Sequence, residues 1–151
     1  SLIYAALEST DSRIKDGKPV NPAFVFAILL WQPYLKRLEQ YNNNGVSYAE
    51  GAWDAGRTTV SKQSSIINIP RRFSIAICEI WKLQPRLLKK HGYKTLKLLE
   101  HPRFRAAYDF MCLRTQAGEL DESECLWWTK IQEVSAEEQK KMISFKPKRK
   151  K

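Results

Sequence analysis

The chain reads as an all-α protein, a compact bundle of about six or seven helices. Three observations predict this. Apolar residues recur at three- and four-residue spacing almost throughout, and the alternation of a half-buried strand is absent. Helix start signals stand at intervals: Asn21-Pro22, Ser47 with Glu50 three residues on, and Asp121 with Glu124. Glycines punctuate the segments between them. With 151 residues, 43% hydrophobic and 11% aromatic, the chain has the means to bury a core.

The elements follow in order. A first helix spans roughly 2–15 and ends at Asp16-Gly17-Lys18-Pro19. Asn21 as N-cap and Pro22 as first helical residue open a second that runs toward Tyr41, kinked at Pro33 and stopped by Asn42-Asn43-Asn44-Gly45. The third presents Ala49, Ala52, Trp53, Gly56 and Val60 on one stripe, small enough to pack closely on the apolar second helix. After Ile69-Pro70, an apolar stripe of Phe73, Ile77, Ile80, Trp81, Leu87 and Leu88 defines the next. Pro85 falls inside it and predicts either a kink or two helices abutting at Gln84–Pro85.

Gly92 marks a turn before a short helix with Leu96 and Leu99. His101-Pro102 restarts the chain into a helix facing Phe104, Ala107, Tyr108, Met111 and Cys112 inward, ended by Gly118. Asp121 then caps a last helix with Trp127, Trp128, Ile131 and Val134; the two adjacent tryptophans cannot both face inward. Residues 1–134 are expected to form the folded body and 135–151 a basic disordered tail, helical at most over 136–141. The start at Ser1 runs at once into Leu2-Ile3-Tyr4-Ala5-Ala6-Leu7, which reads as the inside of a helix and suggests a fragment.

Several function classes fall away. The longest apolar run, Ala23–Trp31, is nine residues, against about 20 for a membrane span. No Gly-rich phosphate loop, D-x-D pair or metal-ligand spacing is present, so neither catalytic nor metal-binding residues are assigned. Cys78, Cys112 and Cys125 read as small core residues in a reducing, cytoplasmic setting, with a reactive thiol as the lesser alternative.

Charge is the informative exception. Between Arg71 and Arg105 stand ten Lys/Arg and two acids, a net +8 of the chain's +10, while 106–139 carries −6 and 140–151 carries +7. Lys82, Arg86, Lys89 and Lys90 recur at about one turn, opposite the apolar stripe. Like charges so placed repel by a few tenths of a kcal/mol per pair, which a polyanion would relieve. A solvated helix face is the plain alternative. Trp81, Phe104, Tyr108 and Phe110 read as core, whereas Phe73 and Tyr93, at element edges, are the candidates for base stacking.

Ile69-Pro70-Arg71-Arg72-Phe73, Ile80-Trp81-Lys82-Leu83-Gln84 and Leu98-Leu99-Glu100-His101-Pro102-Arg103-Phe104-Arg105-Ala106-Ala107-Tyr108-Asp109 resemble the C-terminal helical region of bacterial poly(A) polymerases. Asn21-Pro22-Ala23-Phe24 and Leu30-Trp31-Gln32-Pro33 fit the same family. The resemblance implies the helical body of a class II nucleotidyltransferase, related to CCA-adding enzymes, whose catalytic head, with its ATP and Mg, is absent here. It implies that Arg71, Arg72, Arg86, Lys89, Lys90, Lys94, Lys97, Arg103 and Arg105 guide single-stranded RNA 3′ ends, with no cofactor and no catalytic residue in this part. The parent enzyme would add adenylates from ATP and so promote RNA decay. A cytoplasmic monomer that meets RNA-decay proteins and no membrane is the further expectation. Pro85 departs from the family's uninterrupted helix, and Leu99-Glu100-His101-Pro102 suits a helix junction better than an RNA contact. A CCA-adding enzyme's body and a basic protein-interaction domain remain the alternatives.

Overall fold

Asn21 initiates its helix as its sequence position requires: its extended backbone and side-chain oxygen, accepting from the Ala23 amide at 3.0 Å, satisfy one of the orphan N–H groups behind Pro22. The computed structural model to which this belongs describes residues 2–65 and 68–144. Among them the chain is helical and without strands: α1 (Leu2–Lys15), α2 (Pro22–Leu29), α3 (Trp31–Asn43), α4 (Tyr48–Ser64), α5 (Arg71–Leu87), α6 (Tyr93–Leu98), α7 (Phe104–Gln116), α8 (Glu122–Glu133) and α9 (Ala136–Ser144). These are nine helices among the described residues rather than six or seven. One extra arises because the kink expected at Pro33 is a break: the chain leaves helix at Leu30 (φ −97°, ψ 4°) and re-enters at Trp31. Pro33 then lies in the first turn of α3, where its missing N–H needs no partner.

The other extra helix is α9. The sequence reading put the tail at 135, weighing its charge, but Ile143 is buried and its carbonyl accepts from the Gly92 amide at 3.0 Å. Gln139 donates to the Ile131 carbonyl at 2.8 Å, a second tie. The rest of the expected basic tail, 145–151, lies outside the described residues.

Two compact units divide between Lys82 and Leu83. In the first, α4 packs on α3 through Gly51, Ala52, Ala55, Gly56, Thr59 and Val60, all buried. A Cβ on Gly56 would stand 3.1 Å from the Cys78 sulfur, so small size there lets α4 and α5 approach. Trp81 is the centre of this unit; its indole N–H donates to the Ala27 carbonyl at 3.0 Å and its ring stacks on Tyr34 at 4.5 Å. Two expected members of the α4 stripe, Ala49 and Trp53, instead face outward. Ser47 is an N-cap without the side-chain hydrogen bond its capping-box spacing implied.

The second unit closes around Leu83, Leu87, Leu98, Phe104, Ala107, Met111, Trp128, Ile131 and Ile143. Trp128 is fully buried and donates to the Leu87 carbonyl at 2.8 Å, while Trp127 packs edge-on against it at the rim. Buried Gln84 donates to the Ala107 carbonyl (3.1 Å) and accepts from Arg114 (3.1 Å). Leu88, placed on the apolar stripe from sequence, is exposed. The α7–α8 hairpin brings Cys112 and Cys125 to a Cα–Cα distance of 5.1 Å, joined by a disulfide. That corrects the reading of all three cysteines as separate thiols: thirteen residues apart in sequence, these two are neighbours only because α8 folds back on α7. Cys78 alone is free among the described cysteines, and burial pushes its thiol up to about 11.

Candidate nucleic-acid interface

The end of α5 organises the basic residues of the second unit. Pro85 does not split the helix; it sits within its last turn, after which shorter-range bonds from Leu88 to the Pro85 carbonyl (3.3 Å) and Lys89 to the Arg86 carbonyl (3.2 Å) tighten the end. The Thr95 hydroxyl reaches back to the carbonyls of Lys89 (3.2 Å) and His91 (3.1 Å), and Gly92 turns the chain at φ 83° and ψ 171°. Arg86, Lys89, His91, Lys94, Thr95 and Leu98 thereby line one cavity of about 360 Å³ with no acid in its wall. Such a hollow presents guanidinium and ammonium donors to an oxyanion with little competing charge.

Other basic residues named from sequence are placed differently. Lys90 turns to α8, pairs with Glu124 and stands 5.9 Å from the Trp127 ring, so its charge is already occupied. Lys97 is exposed on α6, outside the cavity wall. Arg105 is exposed, 3.5 Å from the Asp109 carboxylate and 5.4 Å from the Tyr108 ring. Arg103 is half-buried ahead of α7, and its amide donates to His101 Nδ1 at 3.0 Å, which gives His101 the junction role. Phe104 and Phe110 are buried, as expected of core residues, and Tyr93 is 73% exposed.

In the first unit, Arg71 and Arg72 begin α5, where the helix dipole disfavours cations, and both are exposed. The Arg72 guanidinium covers the half-buried Phe73 ring at 4.8 Å. Arg71 lines a hollow of about 540 Å³ with Trp53, Arg57 and Ser74. Trp53 and Arg57 were missed. Their spacing, continued by Ser61 and Ser64, marks a second stripe on α4 that the sequence already displays.

Acidic residues play local parts. The Ser123 amide donates to Asp121 at 2.8 Å and holds that carboxyl below the usual range, the signature of an N-cap. Among the described residues no group of three or more His, Cys, Asp or Glu could hold a metal ion, and no helix is long and apolar enough to cross a membrane.

Fold and site together define an all-helical body that presents cation-lined hollows and carries no metal-holding cluster among its described residues. The family model described as "Polymerase A arginine-rich C-terminus" matches residues 44–151, and the chain belongs to that family. Poly(A) polymerase I of Salmonella typhi and that of Escherichia coli O157:H7 are each 34% identical over 146 residues, 95% of this chain. The Haemophilus influenzae enzyme of the same name is 34% identical over 145 residues, 94% of the chain. The chain spans about a third of the length of these relatives, 31% to 32%.

Proposed function

We propose that this chain is the RNA-guiding helical body of a poly(A) polymerase that adds adenylates from ATP to single-stranded RNA 3′ ends. The observation that carries the reading is the acid-free cavity at the α5–α6 turn, where Arg86, Lys89, His91 and Lys94 converge. Family membership and the names of the relatives support RNA as the polyanion. ATP and Mg are proposed to act in another part of the enzyme, since this chain corresponds to about a third of the length of its relatives, and this body alone is not catalytic. The body is proposed to extend past residue 134 to include α9, whose Ile143 joins the core of the second unit. A monomer working in the cytoplasm beside RNA-decay proteins, with the residues beyond Ser144 as a basic extension, completes the proposal.

The test is RNA affinity of the chain across salt. Arg86→Ser, Lys89→Ser and Lys94→Ser together should shallow the log–log salt slope for an unstructured RNA by about 2, at roughly 0.7 per lost phosphate contact. An unchanged slope and affinity would overturn the reading and favour a protein partner instead.

A further inference from the structure

The hollow between α4 and α5 combines features that the α5–α6 cavity lacks. Its wall joins an indole (Trp53), two guanidinium groups (Arg57, Arg71) and three hydroxyls (Ser61, Ser64, Ser74), and it has no acid. Its volume, about 540 Å³, lies in the range of about 300–1,000 Å³ in which small-ligand sites fall. Trp53 is 38% exposed, so part of its ring is open to solvent at the hollow it lines. The Lys82 ammonium stands over its ring, 4.9 Å from the centre, so one π-face is covered by a cation and a stacked base would take the other. Val60 and Cys78 are buried in the floor, Ile75 is exposed at the rim, and the Cys78 thiol stays protonated because burial raises it.

A second hollow of about 560 Å³ shares Arg57 and Ser61 with the first and continues to Tyr41 and Lys62. The two form one strip across α4, with an aromatic residue in each hollow and Arg57 common to both. Asp54 lines only the second hollow and would repel a phosphate there, which favours the side bounded by Arg57 and Arg71.

We propose that the α4–α5 hollow is a nucleotide subsite for single-stranded RNA: one base stacks on Trp53, and the adjoining phosphate is held by Arg57 and Arg71. The serine hydroxyls supply donors and acceptors for the ribose or the base edge without selecting one base. An aromatic platform beside cations is the common means of binding a strand with little sequence preference. A peptide would use the apolar floor as well, but it answers the two guanidinium groups only where it carries an acidic residue, whereas a nucleic-acid strand brings a phosphate at every nucleotide. This inference rests on reading the chain as an RNA-binding body, although its residues lie outside the α5–α6 cavity.

Two probes separate base from backbone: a ten-nucleotide oligoadenylate and the same length of abasic ribose-phosphate. Trp53→Ala should weaken the oligoadenylate about tenfold and leave the abasic strand unchanged, since stacking is worth about that per base. Arg57→Ser should weaken both and shallow the salt slope by roughly 0.7. Trp53→Phe, which keeps a ring, should retain most of the affinity and guards against a folding artefact. In wild type, oligoadenylate should quench indole emission, and Trp53→Phe should abolish part of that quench. If Trp53→Ala and Arg57→Ser bind oligoadenylate like wild type while the Arg86/Lys89/Lys94 variant does not, this subsite is refuted and the RNA reading stands. If none of the variants changes affinity, both fail.

Discussion

Gly92→Ala isolates a purely conformational contribution to the basic cavity. Gly92 sits at φ 83° and ψ 171°, a combination that L side chains essentially do not adopt, and no atom lies within 4 Å of a Cβ built there. The substitution therefore removes no contact and creates no clash; its whole cost is backbone strain, about 1–3 kcal/mol. That strain bears on the turn that aims His91 and Lys94 into the cavity wall and on the amide that donates to the Ile143 carbonyl at 3.0 Å. A loss of about 2 kcal/mol is a factor of about 30 in the folded-to-open ratio. Hydrogen exchange at amides of α6 and α9 reads this opening directly, and urea unfolding of the second unit gives the same free energy as a lower midpoint with unchanged m. Gly45→Ala is the control in the first unit, also at positive φ (77°), expected to cost about 1 kcal/mol and to leave α6 and α9 exchange untouched. If Gly92→Ala exchanges and unfolds like wild type, the required backbone conformation is not the reason for glycine there.

Other consequences are more local. Lys90→Met should cost about 1 kcal/mol by removing the partner of half-buried Glu124, yet change RNA affinity little, because that charge is already engaged; an RNA loss as large as that of Lys89→Ser would refute the assignment. Denatured without reductant, the chain should show one reactive thiol and with reductant three; reduction should lower stability by up to about 3 kcal/mol for a loop of this length, read by melting with and without dithiothreitol. Cys78 has a folded value of about 11, above its ordinary 9, so its contribution is complete below pH 9 and is lost as pH rises toward 11. Wild type should therefore lose up to about 3 kcal/mol more than Cys78→Val across that interval, measured by urea unfolding at each pH; parallel profiles would show the thiol is not shielded.

Local signals were legible wherever one residue decides the geometry. Asn21-Pro22 and Asp121 cap their helices as read, because a side-chain oxygen and two following residues suffice. The core assignments of Trp81, Phe104 and Phe110 held, since apolar period and ring size both point inward. Where two readings fitted one stripe, sequence failed: Trp53 shares a helical face with Gly56 and also one with Arg57, and only the packing of α3 and α5 on α4 shows which is covered. Ile143 was overlooked amid lysines because one apolar residue has no period; it becomes core only once Gly92 and α8 lie beside it.

The all-helical class, most helix starts and the basic character of 71–105 are properties of short windows of chain, set by capping, periodicity and charge within one or two turns. Long-range partners are not. That Cys112 meets Cys125, that Lys90 is answered by Glu124, and that Arg86, Lys89 and Lys94 share a cavity while Lys97 does not, all depend on where α6, α7 and α8 come to rest. A net charge of +8 could be counted from the residues; which of those charges are paired and which share one cavity was decided by packing, because neighbours distant in the chain, such as Glu124 for Lys90, answer some while the α5–α6 turn gathers others.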